Sequence, residues 1–171
     1  MDAPIPIQPL AAKDTEHLQT AYGLIGAGNH SGAALELDRI SPDCQKHPGL
    51  LTARLSLAHQ AKQWAACLEL VEALIVGQPQ NPIFWVHRAT FLRELGRLQE
   101  AWDGLLPAGE RFPKFWMVPY TLACLACALG REDAAMRLLR RSAELVDPQS
   151  LKVKALGERD LEPLWASIAQ M

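Results

Sequence analysis

Residues 82–115 read PIFWVHRATFLRELGRLQEAWDGLLPAGERFPKF, and their landmarks recur in register on both sides of the stretch. Pro82 opens a helical run, Ile83–Leu95, on the missing donor and fixed φ of a first-turn proline. Gly96 breaks the run, and helical spacing returns from Leu98 until Pro113. Written out at an interval of 34 residues, Gly96 aligns with Gly28, Lys62 and Gly130. Ala101 aligns with Ala33, Cys67 and Ala135, Leu105 with Leu37, Val71 and Leu139, and Ala89 with Ala21, Leu55 and Ala123. A fixed period of this length is the signature of stacked supersecondary units.

Each column has a physical reason. The glycine column ends a helix with a residue that turns left-handed without steric cost, whereas Lys62 would pay about 1 kcal/mol for the same backbone. The alanine and cysteine column keeps side chains small where two helices cross. The aliphatic column fills the contact between neighbouring units. Pro79 and Pro113 stop the second helix and permit the turn into the next unit.

Working outward, residues 1–12 carry Pro4, Pro6 and Pro9 without periodicity and read as an extended arm. From Asp14 the spacing is helical, with Leu18, Ala21, Leu24 and Ile25 on one face up to Gly26, Gly28 and Asn29. A second helix follows over Ser31–Ile40, capped by Ser31, with Ala33, Ala34 and Leu37 inward, and ended by Ser41-Pro42. The pattern repeats over Leu51–Gln60 and Gln63–Val76, and again over Trp116–Leu129 and Glu132–Val146. Nothing between residues 14 and 147 alternates with the period of a strand, so the chain is all-α. Pro107, beside Gly104 and Gly109, predicts a kink or early end in the second helix of the third unit.

Composition narrows the function classes. Of 171 residues, 49% are apolar and 21% charged, a globular balance, and the net charge of -2 gives no footprint for nucleic acid. The start, MDAPIPIQPLAAKDTE, lacks the basic and apolar regions of a signal peptide, and no stretch approaches the roughly 18 apolar residues of a spanning helix. A soluble, cytoplasmic protein is expected. Four cysteines, Cys44, Cys67, Cys124 and Cys127, are too sparse for a disulfide scaffold.

These landmarks resemble the tetratricopeptide repeat, a helix-turn-helix unit of glycine, alanine and proline landmarks. The likeness is closest in the third copy, through Trp85, Ala89, Leu92, Gly96, Ala101, Leu105, Ala108 and Pro113. The second has Lys62 in the glycine column, the fourth has Pro119 for a large aromatic and Ser142 for alanine, and the first lacks the opening aromatic. The resemblance implies a right-handed superhelical array of four units, 14–47, 48–81, 82–115 and 116–147. After them, residues 148–171 close the stack, with Asp160 capping a short helix that carries Leu161, Leu164, Trp165 and Ile168. That closing segment resembles the ends of other bacterial arrays.

The resemblance also implies a non-catalytic protein- or peptide-binding scaffold, with no cofactor or metal and with a partner in a concave groove lined by first helices. The groove residues it implies are Tyr22, Ser56, His59, Val86, Thr90, Arg93, Tyr120, Cys124 and Cys127. Arg93 is the charge best placed to meet an anionic group. The family's clamp for an acidic chain terminus uses Lys, Asn and Arg where this chain has Thr52, Ser56, Val86 and Thr90, which argues against that class of adaptor. A bacterial secretion chaperone of the same repeat class is the alternative, and homo-oligomerisation stays open. A thiol- or metal-dependent enzyme using Cys124 and Cys127 is a third reading. It is weak because mid-helix cysteines lack the helix-start dipole that activates a thiol, and no second ligand pair lies nearby. The segment GLIGAGNHSG, 23–32, lacks the preceding strand and following lysine of a phosphate loop.

Overall fold

In each repeat the backbone reverses through the same left-handed residue. In the computed structural model, which describes residues 9–171, Gly28, Lys62, Gly96 and Gly130 have φ of 76°, 54°, 75° and 72°, and no other described residue has positive φ. The surrounding hydrogen bonds are the same each time. Gly28 N–H donates to the Ile25 carbonyl and Asn29 N–H to that of Leu24, at 3.0 and 2.9 Å. Lys62 and Gln63 repeat this with His59 and Ala58, Gly96 and Arg97 with Arg93 and Leu92, and Gly130 and Arg131 with Cys127 and Ala126. This paired closure satisfies helix-end carbonyls and needs one left-handed residue. A Cβ would meet nothing within 4 Å at Gly28, Gly96 or Gly130, so conformation, not space, selects glycine there.

The residue after each turn is the N-cap of the partner helix. The carbonyls of Asn29, Gln63, Arg97 and Arg131 accept from the N–H groups of Ala33, Cys67, Ala101 and Ala135, the small-residue column. All four small side chains have 0% exposure, as do Ala21, Ala89 and Ala123 on the facing helices. Leu37, Val71, Leu105 and Leu139 are buried beside them.

Described by its elements, the chain is α1 (Ala12–Gly26), α2 (His30–Asp38), α3 (Pro48–Gln60), α4 (Trp64–Gly77), α5 (Pro82–Glu94), α6 (Leu98–Leu105), α7 (Ala108–Arg111), α8 (Met117–Ala128), α9 (Glu132–Ala143), α10 (Pro148–Leu156) and α11 (Trp165–Ala169). Short 3-10 turns cover Pro42–Cys44 and Arg159–Leu164. No strand occurs among the described residues. The expected arm falls mainly on residues 1–8, outside the described residues, and α1 starts at Ala12, two residues before the expected Asp14. The chain divides into two compact units, one through Phe84 and one from Trp85.

In the first unit, α1 packs with α2 and α3, and α3 with α4. Leu18, Ala21, Ala33, Leu37, Ile40, Leu50 and Ala53 form its apolar centre. Asp14 is buried there and accepts from the Ser41 backbone N–H at 3.0 Å and its hydroxyl at 3.1 Å, fastening the start of α1 to the exit of α2. The Ser41 N–H bond is the main reason its carboxyl stays below the usual range. The cap of α2 is Asn29, not Ser31: the Asn29 side-chain Oδ1 accepts from Gly32 N–H at 3.0 Å, while Ser31 lies inside the helix and its hydroxyl donates to the same Oδ1. Ala34, expected inward, is exposed.

In the second unit, α8 pairs with α9 and α6 packs on α8. Pro107 does interrupt the second helix: α6 ends at Leu105 and α7 begins at Ala108. Ser142, where alanine was the ordinary residue, is fully buried because its hydroxyl donates to the Trp116 carbonyl at 2.9 Å. The closing segment departs from expectation. Residues 159–164 form a 3-10 turn with Asp160 within it, and Asp160 caps nothing. Leu161, Leu164 and Ile168 are nonetheless buried in one apolar cluster with Tyr120, Cys124 and Cys127.

The backbone predicts opposite signs for two substitutions measured by urea unfolding. Lys62→Gly should stabilise the chain by about 1 kcal/mol by relieving a left-handed non-glycine residue, and Gly96→Ala should destabilise it by about as much. A loss of stability in Lys62→Gly would show that the side chain, not the backbone, matters there.

Candidate functional site

Helix spacing puts Val86, Thr90 and Arg93 on one face of α5, and Tyr120, Cys124 and Cys127 on one face of α8, at steps of three and four residues. The fates of the two rows differ. Val86 is 4% exposed, and Thr90 is half-buried with its hydroxyl donating back to the Val86 carbonyl at 3.0 Å. Arg93 is half-buried, and its guanidinium donates to Asp160 at 2.6 Å, with Glu94 at 3.3 Å and Glu158 at 3.6 Å. Burial works against this cation, but Asp160 and Glu158 outweigh it and raise its pKa.

The α8 row is closed over. Tyr120, Cys124 and Cys127 are 5%, 2% and 6% exposed beneath the segment carrying Leu161, Leu164 and Ile168. Lys154 of α10 stands over the Tyr120 ring at 5.4 Å, and Trp165 anchors the segment to itself through its indole N–H, which donates to the Glu158 carbonyl at 3.3 Å. The Tyr120 hydroxyl is buried without a hydrogen-bond partner among the described residues. The Cys124 thiol, Glu158 and Arg93 are near enough to influence it, but none meets hydrogen-bond geometry. Burial first, then Cys124 and Glu158, push its pKa well up.

Thiol chemistry finds no support here. Burial first, and then Glu158, push the Cys124 thiol up to about 12, so the thiol stays protonated at neutral pH. Burial raises Cys127 too. Among the described residues no group of three His, Cys, Asp or Glu is placed to hold a metal ion.

The first unit keeps its candidate residues more open. Tyr22 is 42% exposed, and its hydroxyl donates to the Gly49 carbonyl at 2.9 Å, tying α1 to the start of α3. On α3, Ser56 is half-buried and His59 is exposed, its ring edge-on to Trp64 at 5.6 Å. Sequence reasoning missed Glu158 and Lys154 and read Asp160 as a helix cap, because their relation to α5 and α8 exists only after folding.

No family model and no curated protein matches the chain. Solved structures do. MamA, in its RS-1 ArsTM double mutant, matches with a TM-score of 0.68 at 14% identity over 77% of this chain and 74% of that one. MamA MSR-1 matches with a TM-score of 0.64 at 15% identity over 94% and 97%. A thermophilic TPR protein of Thermus thermophilus matches with a TM-score of 0.62 at 17% identity over 92% and 100%. The fold is that of a tetratricopeptide-type helical repeat protein. Tetratricopeptide stacking accounts for the glycine, alanine and aliphatic columns, and leaves the ion pairs of Arg93 with Glu158 and Asp160 outside them. No described helix is long and apolar enough to cross a membrane.

The unpaired hydroxyl sets a test. Tyr120→Phe removes a buried polar atom that makes no bond, so it should leave stability unchanged or raise it by about 1 kcal/mol, whereas Ser142→Ala, which removes the shorter of the two hydrogen bonds to the Trp116 carbonyl and leaves only that from the Tyr120 N–H, should cost about 1 kcal/mol. Urea unfolding of both variants checks the pair, and a destabilised Tyr120→Phe would mean the hydroxyl is satisfied after all.

Proposed function

We propose that this chain is a non-catalytic scaffold that binds a protein or peptide through the first-helix faces of its repeats. The observation that carries this reading is what remains after stacking is accounted for. Tyr22, Ser56 and His59 in the first unit, and Thr90 and Arg93 in the second, are polar or aromatic side chains that keep some exposure and fill no place in the repeat columns. Polar and aromatic side chains outside the repeat columns, placed about one turn apart on the first helices, suit recognition of an extended or helical segment. The tetratricopeptide-type fold favours the same reading as a class. The buried, weakly acidic thiols favour it over a thiol enzyme.

Affinity capture with the full chain as bait tests the reading. A captured partner should bind at least tenfold more weakly, about 1.4 kcal/mol, to the His59→Glu or Ser56→Arg chain, with the helical circular dichroism unchanged. A partner bound equally well by both variants and by Thr90→Arg would remove the first-helix faces as the binding surface.

A further inference from the structure

The second unit carries a face that already holds a peptide segment, and that segment is its own. Arg93 meets Asp160, 67 residues away in sequence, at 2.6 Å. Beside the ion pair, the 159–164 turn packs on α8, and its Leu161 and Leu164 share one buried apolar cluster with Tyr120, Cys124 and Cys127. The pattern is one carboxylate for the cation and two leucines, one and four positions on, for the apolar floor.

Three features set this segment apart from an ordinary helix of the stack. It is a 3-10 turn followed by the five-residue α11, neither of which holds its own shape well in isolation. Its polar anchor is only half-buried and open to solvent competition. Most tellingly, the Tyr120 side chain in the same cluster is 5% exposed, and its hydroxyl has no hydrogen-bond partner among the described residues, this segment included. A buried donor left unpaired marks an imperfect occupant.

We propose that Glu158–Leu164 is a resident occupant of the α5–α8 face, and that this face takes in its place a partner segment of the same chemistry. That segment has a carboxylate for Arg93, leucines one and four positions further on, and an acceptor for the Tyr120 hydroxyl. The proposal rests on the scaffold function above and names the class of partner for one of its faces. It places regulation in the C-terminal segment, which a partner must displace to bind.

The test uses the full-length chain. A thiol reagent is applied under native conditions and modification is followed at each cysteine by mass spectrometry, with Ala101→Cys as an internal control. That position is buried in the same unit, outside the covered cluster, and its column tolerates cysteine at Cys67. If the segment lifts by itself, Cys124 is modified at least tenfold faster than the control thiol, and Asp160→Asn raises the Cys124 rate further while the control stays unchanged. Equal rates at Cys124 and the control would show that the segment opens only with the whole unit, and would overturn the proposal without any site variant having to fold. A labelled peptide of residues 157–171 supplies the second arm. It should bind the Asp160→Asn chain at least tenfold more tightly than wild type, and lose that binding when its own aspartate is changed to lysine. Indifference of the peptide to that charge reversal would overturn the Arg93 assignment. Both results are independent of partner capture, so failure of the scaffold function and failure of this inference are separable.

Discussion

A left-handed residue between paired helices is the constraint on which the other regularities rest. One positive φ allows two helix-end carbonyls to be satisfied and turns the chain so that the next helix starts one residue later. It then follows geometrically that the fifth residue after the turn faces the preceding helix at close range, which is why Ala33, Cys67, Ala101 and Ala135 are small and wholly buried. Enlarging any of them would force the crossing apart, at a typical cost of about 1–3 kcal/mol. Lys62 shows the strength of the constraint, since it adopts φ of 54° despite its Cβ. Packing of α3 against α4 outweighs the local strain.

Much of the fold was legible because its determinants are local and periodic. The turn column, the small column and the break at Pro107 are each read from a few neighbouring residues, and each has the conformation that its chemistry dictates. Smaller errors came from competition between nearby polar groups. Asn29 and Ser31 both suit a helix start, and Asn29 takes the cap because it stands just ahead of the first helical residue with its oxygen 3.0 Å from the Gly32 N–H.

The candidate site was less legible because its decisive contacts are remote in sequence. Arg93, Tyr120, Cys124 and Cys127 lie on the helix faces that periodicity assigns them, but nothing local announces that Asp160 reaches Arg93 across 67 residues. Asp160 looked like a helix cap because it precedes an apolar run. The nearby Arg93 cation, available only in the folded unit, gives its carboxylate a better partner than a short helix start. The two cysteines likewise share their buried cluster with Leu161, Leu164 and Ile168 of the closing segment, remote in sequence from the motif that suggests redox chemistry.

This tetratricopeptide-type chain therefore has one face open in its first unit and one face held closed in its second by its own C-terminal segment. Hydrogen–deuterium exchange measured on the free chain and on the chain with a bound partner tests this most directly. The account predicts that amides of residues 157–168 exchange slowly in the free chain and at the rate of an unstructured peptide once a partner occupies the α5–α8 face, with α9 unchanged. Protection of that segment retained in full while α5 and α8 gain protection from the partner would contradict it.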